Sequence, residues 1–457
     1  REMEFNRLLS SAISTYGEIE FSNNTKNLDK KEKNYKISNK NYELIKKEED
    51  IDKWLNEAEE RGEIAVDTET SSLDPHQAKL VGISFSTKIG KACYIPIGHT
   101  EGKNLEEKKV IKKIKPVLED KSIKKIGQNI KFDFIIFYHK GINMNSMEDT
   151  MLMSYILDGG SHGHSMDELA ELHLGHTTIK FKEVAGTGKS QTTFDFVPLD
   201  KALAYAAEDA DMTLQFHRLF KPRLLAENLV TPYETLERPL ILVLVQMESE
   251  GIKVDRAKLE SLSQEFDDRR VIVEKDIYKL AGHEFNVGSP KQLGEVLFEE
   301  MQLEGRQKGK SGAYSTGADV LESLAAEGHE LPAKVLEWRQ LDKLKSTYSD
   351  ALVGQINPRT GRVHTSYAMA AASTGRLSST DPNLQNIPIR TEDGRKIRHA
   401  FVAEPGCTLL SLDYSQIELR LLAHIADIEA LKQAFHEGQD IHALTASEIF
   451  GVRIQNL

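Results

Sequence analysis

The stretch "GEIAVDTETSSLDP", residues 62–75, sets the problem. Ile64, Ala65 and Val66 read as the end of a buried strand, and Asp67 and Glu69 follow two residues apart. Side chains alternate across a strand, so both carboxylates point to one face. Like charges side by side are costly in an interior unless a cation sits between them. Taken alone, a strand-end Asp-Thr-Glu also fits a turn or a helix cap, and the pair does not decide between the two.

At 457 residues, two or three domains are expected around such a strand. Hydrophobic content of 39% and charged content of 28% describe a soluble globular chain. No apolar run reaches the roughly 18 residues a membrane span needs. Cys93 and Cys407 stand far apart without metal-site spacing, which argues for a reducing compartment and against a disulfide scaffold. A net charge of −12 does not advertise nucleic-acid binding, but local patches rather than totals decide that. The chain starts at Arg1 rather than Met and so reads as a fragment, in which a targeting peptide would be invisible.

Residues 23–41, "NNTKNLDKKEKNYKISNKN", read as a flexible linker with too little apolar surface to fold. From about residue 48 the pattern turns α/β. Strands are expected at 62–67, 80–86, 92–97 and 124–129, and helices at 130–141, 147–158 and 199–220. Strands first and helices after them predict a mixed sheet with helices on its faces. Residues 230–350 are helical by periodicity, with a glycine-rich, basic tip at 305–317. Beyond 360, "GRVHTSYAMA" reads as strand, and "CTLLSLDYSQIELRLLAHIA" as a buried strand running into a helix.

Two further acidic residues stand in unusual settings. Asp133 lies in "NIKFDFIIF", an otherwise apolar helix start, and Asp209 follows Tyr205 by four residues, on one helix face. Asp67, Glu69, Asp133 and Asp209 together make an oxygen site for two divalent cations, with Mg²⁺ the natural choice. Two such ions about 4 Å apart clamp the attacking and leaving oxygens of an in-line phosphoryl displacement. Tyr205 is placed to position the attacking water, so the region reads as a phosphodiesterase.

The segments "VDTETSSLDP", "GQNIKFDF" and "YAAEDADMTLQFH" resemble the three motifs of the proofreading 3′→5′ exonuclease domain of the bacterial DNA polymerase I family, family A. The resemblance implies a ribonuclease-H-like fold, metal ligands at Asp67, Glu69, Asp133 and Asp209, and Tyr205 orienting the water. Mn²⁺ would substitute for Mg²⁺. Leu73 and Phe181 fall where the family wedges and stacks against the frayed 3′ end.

"SLDYSQIELRLLAH", residues 411–424, repeats the opening pattern, with Asp413 after an apolar run. A lone Asp there also serves as a helix cap. Upstream, "STGRLSSTDPNLQNIPIRTEDGRKIRHAF" carries Arg for phosphate and Asn and Gln for base edges. Arg339 and Lys343 stand four apart on a helix; a solvated face and a phosphate-binding face are both open to them. These segments resemble the polymerase module of the Klenow-type large fragment of the same family. The resemblance implies a metal ligand at Asp413 and nucleotide contacts at Gln416, Glu418 and His442, with Glu418 crowding a ribose 2′-hydroxyl. It implies DNA contacts at Arg376, Asn383 and Gln385, and a thumb gripping the duplex through Arg339 and Lys343.

The architecture it implies is an α/β and α+β multidomain chain. An N-terminal segment and linker (1–47) precede a 3′→5′ exonuclease domain (48–222), a helical thumb (223–358), a partial palm (359–440) and the start of the fingers (441–457) of a right-hand polymerase. Its partners would be a single-stranded DNA 3′ end, primer-template DNA and deoxynucleoside triphosphates, in a monomer without membrane contact, in the cytoplasm at the bacterial nucleoid. Because the chain stops at Leu457, before the family's triphosphate helix and second catalytic carboxylate, exonuclease and DNA binding are expected of it and polymerisation is not. Two other readings stand beside this one. A DNA-holding scaffold with a silent exonuclease is opposed by the intact carboxylates, and a ribonuclease-D-like RNA exonuclease leaves "DYSQIELR" without a purpose.

Two motifs are set aside. "AGTGKS" (185–190) lacks the leading glycine of a phosphate loop, because position 183 is Glu. His162, His164, His173 and His176 have no cysteine near and match no finger spacing, so a loop with surface histidines fits them better.

Overall fold

The structure is a computed structural model that describes residues 41–304 and 314–452. The linker up to residue 40 and the basic tip at 305–313 lie outside the described residues. The described residues form two compact units, one ending at Phe401 and one beginning at Val402.

The first unit is built on a six-stranded mixed sheet. Its strands are β1 (Asn41–Leu44), β2 (Glu63–Thr70), β3 (Leu80–Lys88), β4 (Lys91–Pro96), β5 (Lys124–Gly127) and β6 (Met147–Asp149), in the order β1-β4-β3-β2-β5-β6. β2, β3 and β4 form an antiparallel meander, whereas β1, β5 and β6 join their neighbours in parallel. Asn41–Leu44 thus belongs to the sheet, ahead of the boundary expected at residue 48, because its backbone completes the edge of β4. β2 is covered on both faces, which is why Ile64, Ala65 and Val66 are a continuous apolar run rather than an alternating one. Helix α1 (Asp52–Arg61) feeds β2 directly, ending on Gly62 in the left-handed conformation.

Helices α2 (Glu107–Glu119), α3 (Ile130–His139), α4 (Thr150–Asp158), α5 (Met166–Leu169, continued as a π-helical turn to Leu174), α6 (Phe181–Ala185) and α7 (Leu199–Ala226) follow. The helix expected over 147–158 is therefore shorter, its first three residues being β6, and α7 runs past the boundary expected after 222. α7 lies across β2, β3 and β4. Alanines at 202, 206, 207 and 210 make up much of the buried face of its first half. Such small side chains let the helix backbone approach the sheet closely, and that approach carries Asp209 to β2.

The helical region holds α8 (Arg238–Glu250), α9 (Arg256–Ala281), α10 (Pro290–Glu295), α11 (Ala318–Ala326) and α12 (Glu330–Lys343). α9 packs on α12, with Leu259, Leu262, Phe266, Val273 and Ile277 in one core with Val335, Trp338 and Leu341. The expected strand over "GRVHTSYAMA" (361–370) is broken into β8 (Arg362–Val363), paired with β7 (Ile252–Lys253), and β9 (Ser366–Ala368), paired with β10 (Ser378–Thr380). A buried ion pair fastens the two regions: Lys131 of α3 donates to Glu248 of α8 at 2.5 and 2.7 Å, and Glu248 also accepts the Tyr367 amide of β9.

The second unit holds α14 (Ile417–Ile425), α15 (Glu429–His436) and α16 (Ile441–Phe450), after α13 (Glu392–Arg398) has closed the first. The buried strand expected before Asp413 is not formed. Residues 407–413 are irregular, and Leu410 and Leu412 are 80% and 84% exposed. An apolar run becomes a strand only when a neighbour supplies the ladder, and among the described residues none pairs with it. No described helix is long and apolar enough to cross a membrane.

Candidate active site

β2 delivers Asp67 and Glu69 to one face, and α7 lays Asp209 over them. One carboxylate oxygen from each of the three lies within 4.8 Å of the others. The β2–β3 register shifts between Glu69 and Thr70, a bulge of the kind that re-aims side chains at the end of a strand. Opposite Glu69 in the ladder is Gly82, where a Cβ would strike the Tyr94 hydroxyl oxygen at 2.1 Å and its ring at 2.3 Å. Glycine here leaves room for the Tyr94 side chain.

Asp133, in the first turn of α3, stands beside this trio rather than in it. One of its oxygens accepts both the amide (2.9 Å) and the hydroxyl (2.6 Å) of Thr68. It is near enough to Glu69 for its charge to raise the Glu69 pKa. All four carboxyls are pushed well above the ordinary range, by burial first and then by neighbouring negative charge. For Asp209 those neighbours include Glu208 and Asp167. A divalent cation is the natural relief, and the donor set fits one: the ligands are oxygens, and Glu69 Oε1 is buried with no hydrogen-bond partner.

Tyr205 sits one turn before Asp209 on the same helix face, and its hydroxyl favours the Asp209 carboxylate. Burial and the charges of Asp209, Glu69 and Asp67 raise its phenol pKa, so the hydroxyl keeps its proton and acts as a donor. Its ring meets Phe181 edge-on at 6.4 Å and Phe194 at 5.7 Å. Phe181, 37% exposed at the start of α6, offers a partly free aromatic surface, and Leu73, in the turn after β2, is 94% exposed.

Sequence reasoning did not find Thr68, Phe194 or Glu208. Glu208 is buried and accepts the His176 ring (2.9 Å) and the Ile179 amide (2.7 Å), pinning the segment that leads to Phe181. Its place beside Asp209 in "AAEDAD" was a usable signal; nothing in the sequence marks Phe194.

The other expected contacts are arranged differently. Arg339 turns inward, donating to the Thr316 carbonyl (2.6 Å) and hydroxyl (3.3 Å), and lines a cavity of about 520 Å³ with Trp338 and Asp342. Lys343, one turn on, is exposed. Gln385 braces its own loop, accepting the Ser379 amide and donating to the Leu377 carbonyl, while Asn383 accepts the Gln385 amide. Arg376 is exposed. In the second unit Asp413, Glu418 and His442 are exposed, Gln416 enters α14 with a φ of 52°, and the His442 amide donates to Asp440 at the start of α16. Among the described residues, neither group able to hold a metal contains Asp413.

The histidine segment is not a loop of surface side chains. His164 is buried against Ser154 (2.9 Å), and His173 lies in the π-helical turn that continues α5.

Residues 42–225 match the 3′-5′ exonuclease family and residues 256–457 match DNA polymerase family A. The chain is 51% identical over 428 residues to "DNA polymerase I" of Rhizobium leguminosarum, covering 89% of this chain and 42% of that protein. It is 44% identical over 461 residues to "DNA polymerase I" of Pseudomonas aeruginosa, covering 97% and 50%. The chain thus spans half or less of these curated relatives. Among solved structures, the POL domain of Pol1 from M. smegmatis, in complex with DNA primer-template and dNTP, superposes with a TM-score of 0.74 at 30% identity. That match covers 91% of this chain and 68% of the other.

Proposed function

Because the chain belongs to DNA polymerase family A and carries its 3′-5′ exonuclease domain, we propose that the carboxylate centre on β2 and α7 removes nucleotides from DNA 3′ ends with two divalent ions. The observation that carries this reading is the meeting of Asp67, Glu69 and Asp209 within 4.8 Å, with one Glu69 oxygen buried and unpartnered. Mg²⁺ fits the all-oxygen donors, and Mn²⁺ substitutes. When bound, two such ions stabilise the attacking and leaving oxygens of an in-line displacement at phosphorus.

The residues of the chain supply the rest. Asp67, Glu69 and Asp209 would hold the ions, with Asp133 adding its charge from the side. The protonated Tyr205 hydroxyl orients the attacking water. Phe181 stacks on the terminal base and Leu73 wedges against the next, contacts that suit any unpaired base and so select a frayed 3′ end over a paired one. In the whole protein this activity serves proofreading behind a polymerase centre to which Asp413, Gln416, Glu418 and His442 contribute. Lys343, Arg376, Asn383 and the Arg339 helix lie along primer-template DNA. The exonuclease domain then occupies 48–222 together with β1, followed by thumb (223–358), palm (from 359) and fingers (from 441).

Polarity and substrate test this reading. With Mg²⁺, a 5′-labelled single-stranded DNA should shorten stepwise from its 3′ end, faster than the same strand in a duplex and faster than RNA. Release of the 5′ nucleotide first, or equal rates on RNA and DNA, would overturn it.

A further inference from the structure

We propose that Asp158, His162 and His173 form a second metal site, for a divalent transition ion such as Zn²⁺, sharing no residue with the carboxylate centre. Each side chain offers one ligand atom, and the three atoms lie within 4.8 Å of one another. Ligands 2.0–2.1 Å from a tetrahedral ion stand about 3.3 Å apart. The three must therefore close by about 1.5 Å at most, which side-chain rotation supplies. They come from separate pieces of backbone: the end of α4, the turn that follows Gly159 and Gly160, and the π-helical continuation of α5.

The imidazoles are prepared for such a role. His162 Nδ1 stands 2.7 Å from the Gly163 carbonyl and donates to it, so Nε2 is the ring nitrogen left to face a ligand. Metal-bound histidines are oriented by this kind of contact. Nε2 itself is 3.9 Å from Asp158 Oδ2, beyond hydrogen-bond reach. Among the described residues no hydrogen bond reaches either ring nitrogen of His173, and its Nε2 is closed off from solvent.

Arg223 of α7 donates to both oxygens of Asp158, at 2.8 and 3.0 Å. Each oxygen retains a second lone pair, so this contact fixes the carboxylate plane without using up its capacity to ligate. Glu227 accepts from the same guanidinium at 2.9 Å and offsets its charge. Two imidazoles and one carboxylate suit zinc, nickel or cobalt rather than Mg²⁺, which prefers oxygen throughout.

The position gives the ion a consequence. α4 also carries Tyr155, whose hydroxyl donates to the Ala372 carbonyl (2.6 Å) and accepts the Gly375 amide (3.0 Å). An ion at Asp158 would clamp the end of the helix that braces the turn directly before Arg376.

The test uses the full chain in an Asp67→Ala/Asp209→Ala background, which silences the carboxylate centre. Equilibrium dialysis with Zn²⁺ and Co²⁺ should give one bound equivalent, and Co²⁺ should show the visible absorption of a nitrogen-containing, low-coordinate site. His162→Ala, His173→Gln and Asp158→Asn should each weaken binding at least tenfold, and His164→Ala should leave it unchanged. Zn²⁺ should raise the melting temperature of the background protein but not of the His162→Ala protein. Because His162 and His173 are replaced separately, misfolding of one variant, seen as an altered metal-free melt, leaves the other to decide. No bound equivalent in the background, or binding that survives both His162→Ala and His173→Gln, would overturn the site. So would binding lost with His164→Ala and kept with His162→Ala. Exonuclease activity is not a readout, so failure here leaves the carboxylate centre untouched.

Discussion

Tyr205 shows how one hydroxyl is specified by its surroundings. Burial and three nearby carboxylates keep it protonated, and Phe181 and Phe194 hold its ring. Tyr205→Phe removes the donor and leaves the ring, so single-turnover hydrolysis should slow on the order of 10²-fold, the scale of losing one positioned donor. Binding of single-stranded DNA, read by fluorescence anisotropy, should not change. The carboxyls themselves make a pH prediction. With Asp209 raised in the folded state, that state holds its proton where the unfolded chain has released it. The destabilisation is absent below about pH 4, grows as pH rises through the unfolded value, and levels off above the raised folded one. In metal-free buffer Asp209→Asn should therefore melt higher than wild type at pH 7, with the gap closing towards pH 4. Mg²⁺ should raise the wild type more than the variant. A gap that widens towards acid would contradict this.

At the scale of elements, two junctions set the geometry. Gly82 lets the Tyr94 ring lie against β3 opposite Glu69. Gly82→Ala should cost about 1–3 kcal/mol of stability, as an overpacked core does, and should slow hydrolysis through displacement of Glu69. Lys131 and Glu248 fasten α3 to α8. Lys131→Met should cost about 3–5 kcal/mol by denaturant unfolding, because it leaves a buried carboxylate unpaired, and Lys131→Met/Glu248→Met should recover much of the loss. Such junctions are hard to read from a sequence: Lys131 and Glu248 stand 117 positions apart, and neither Gly82 nor Tyr94 belongs to a motif. The strands were legible because both faces of β2 are covered and its apolar run is continuous. The edge strand β1 was not, since its polar composition matches the linker before it and only pairing with β4 makes it a strand.

Across the whole molecule, the clustered carboxyls of Asp67, Glu69, Asp133 and Asp209 stand out in the sequence because each sits where an ionised group is out of place: a buried strand end, an apolar helix start and an alanine-lined helix face. Asp413 follows an apolar run too, yet it is exposed here, because a strand is a property of its neighbours as much as of its own residues. Arg339 was readable as basic but not as engaged with Thr316, a contact made 23 positions away. Whether Asp67, Glu69 and Asp209 act as one centre is measured most directly by single-turnover degradation of 3′-labelled single-stranded DNA with Mg²⁺ by wild type, Asp67→Ala and Asp209→Ala. Each variant should lose on the order of 10³-fold in rate, and the double variant little more, as groups acting as one unit do. Wild type and variants degrading the strand at the same slow rate would show that these carboxylates do not catalyse it.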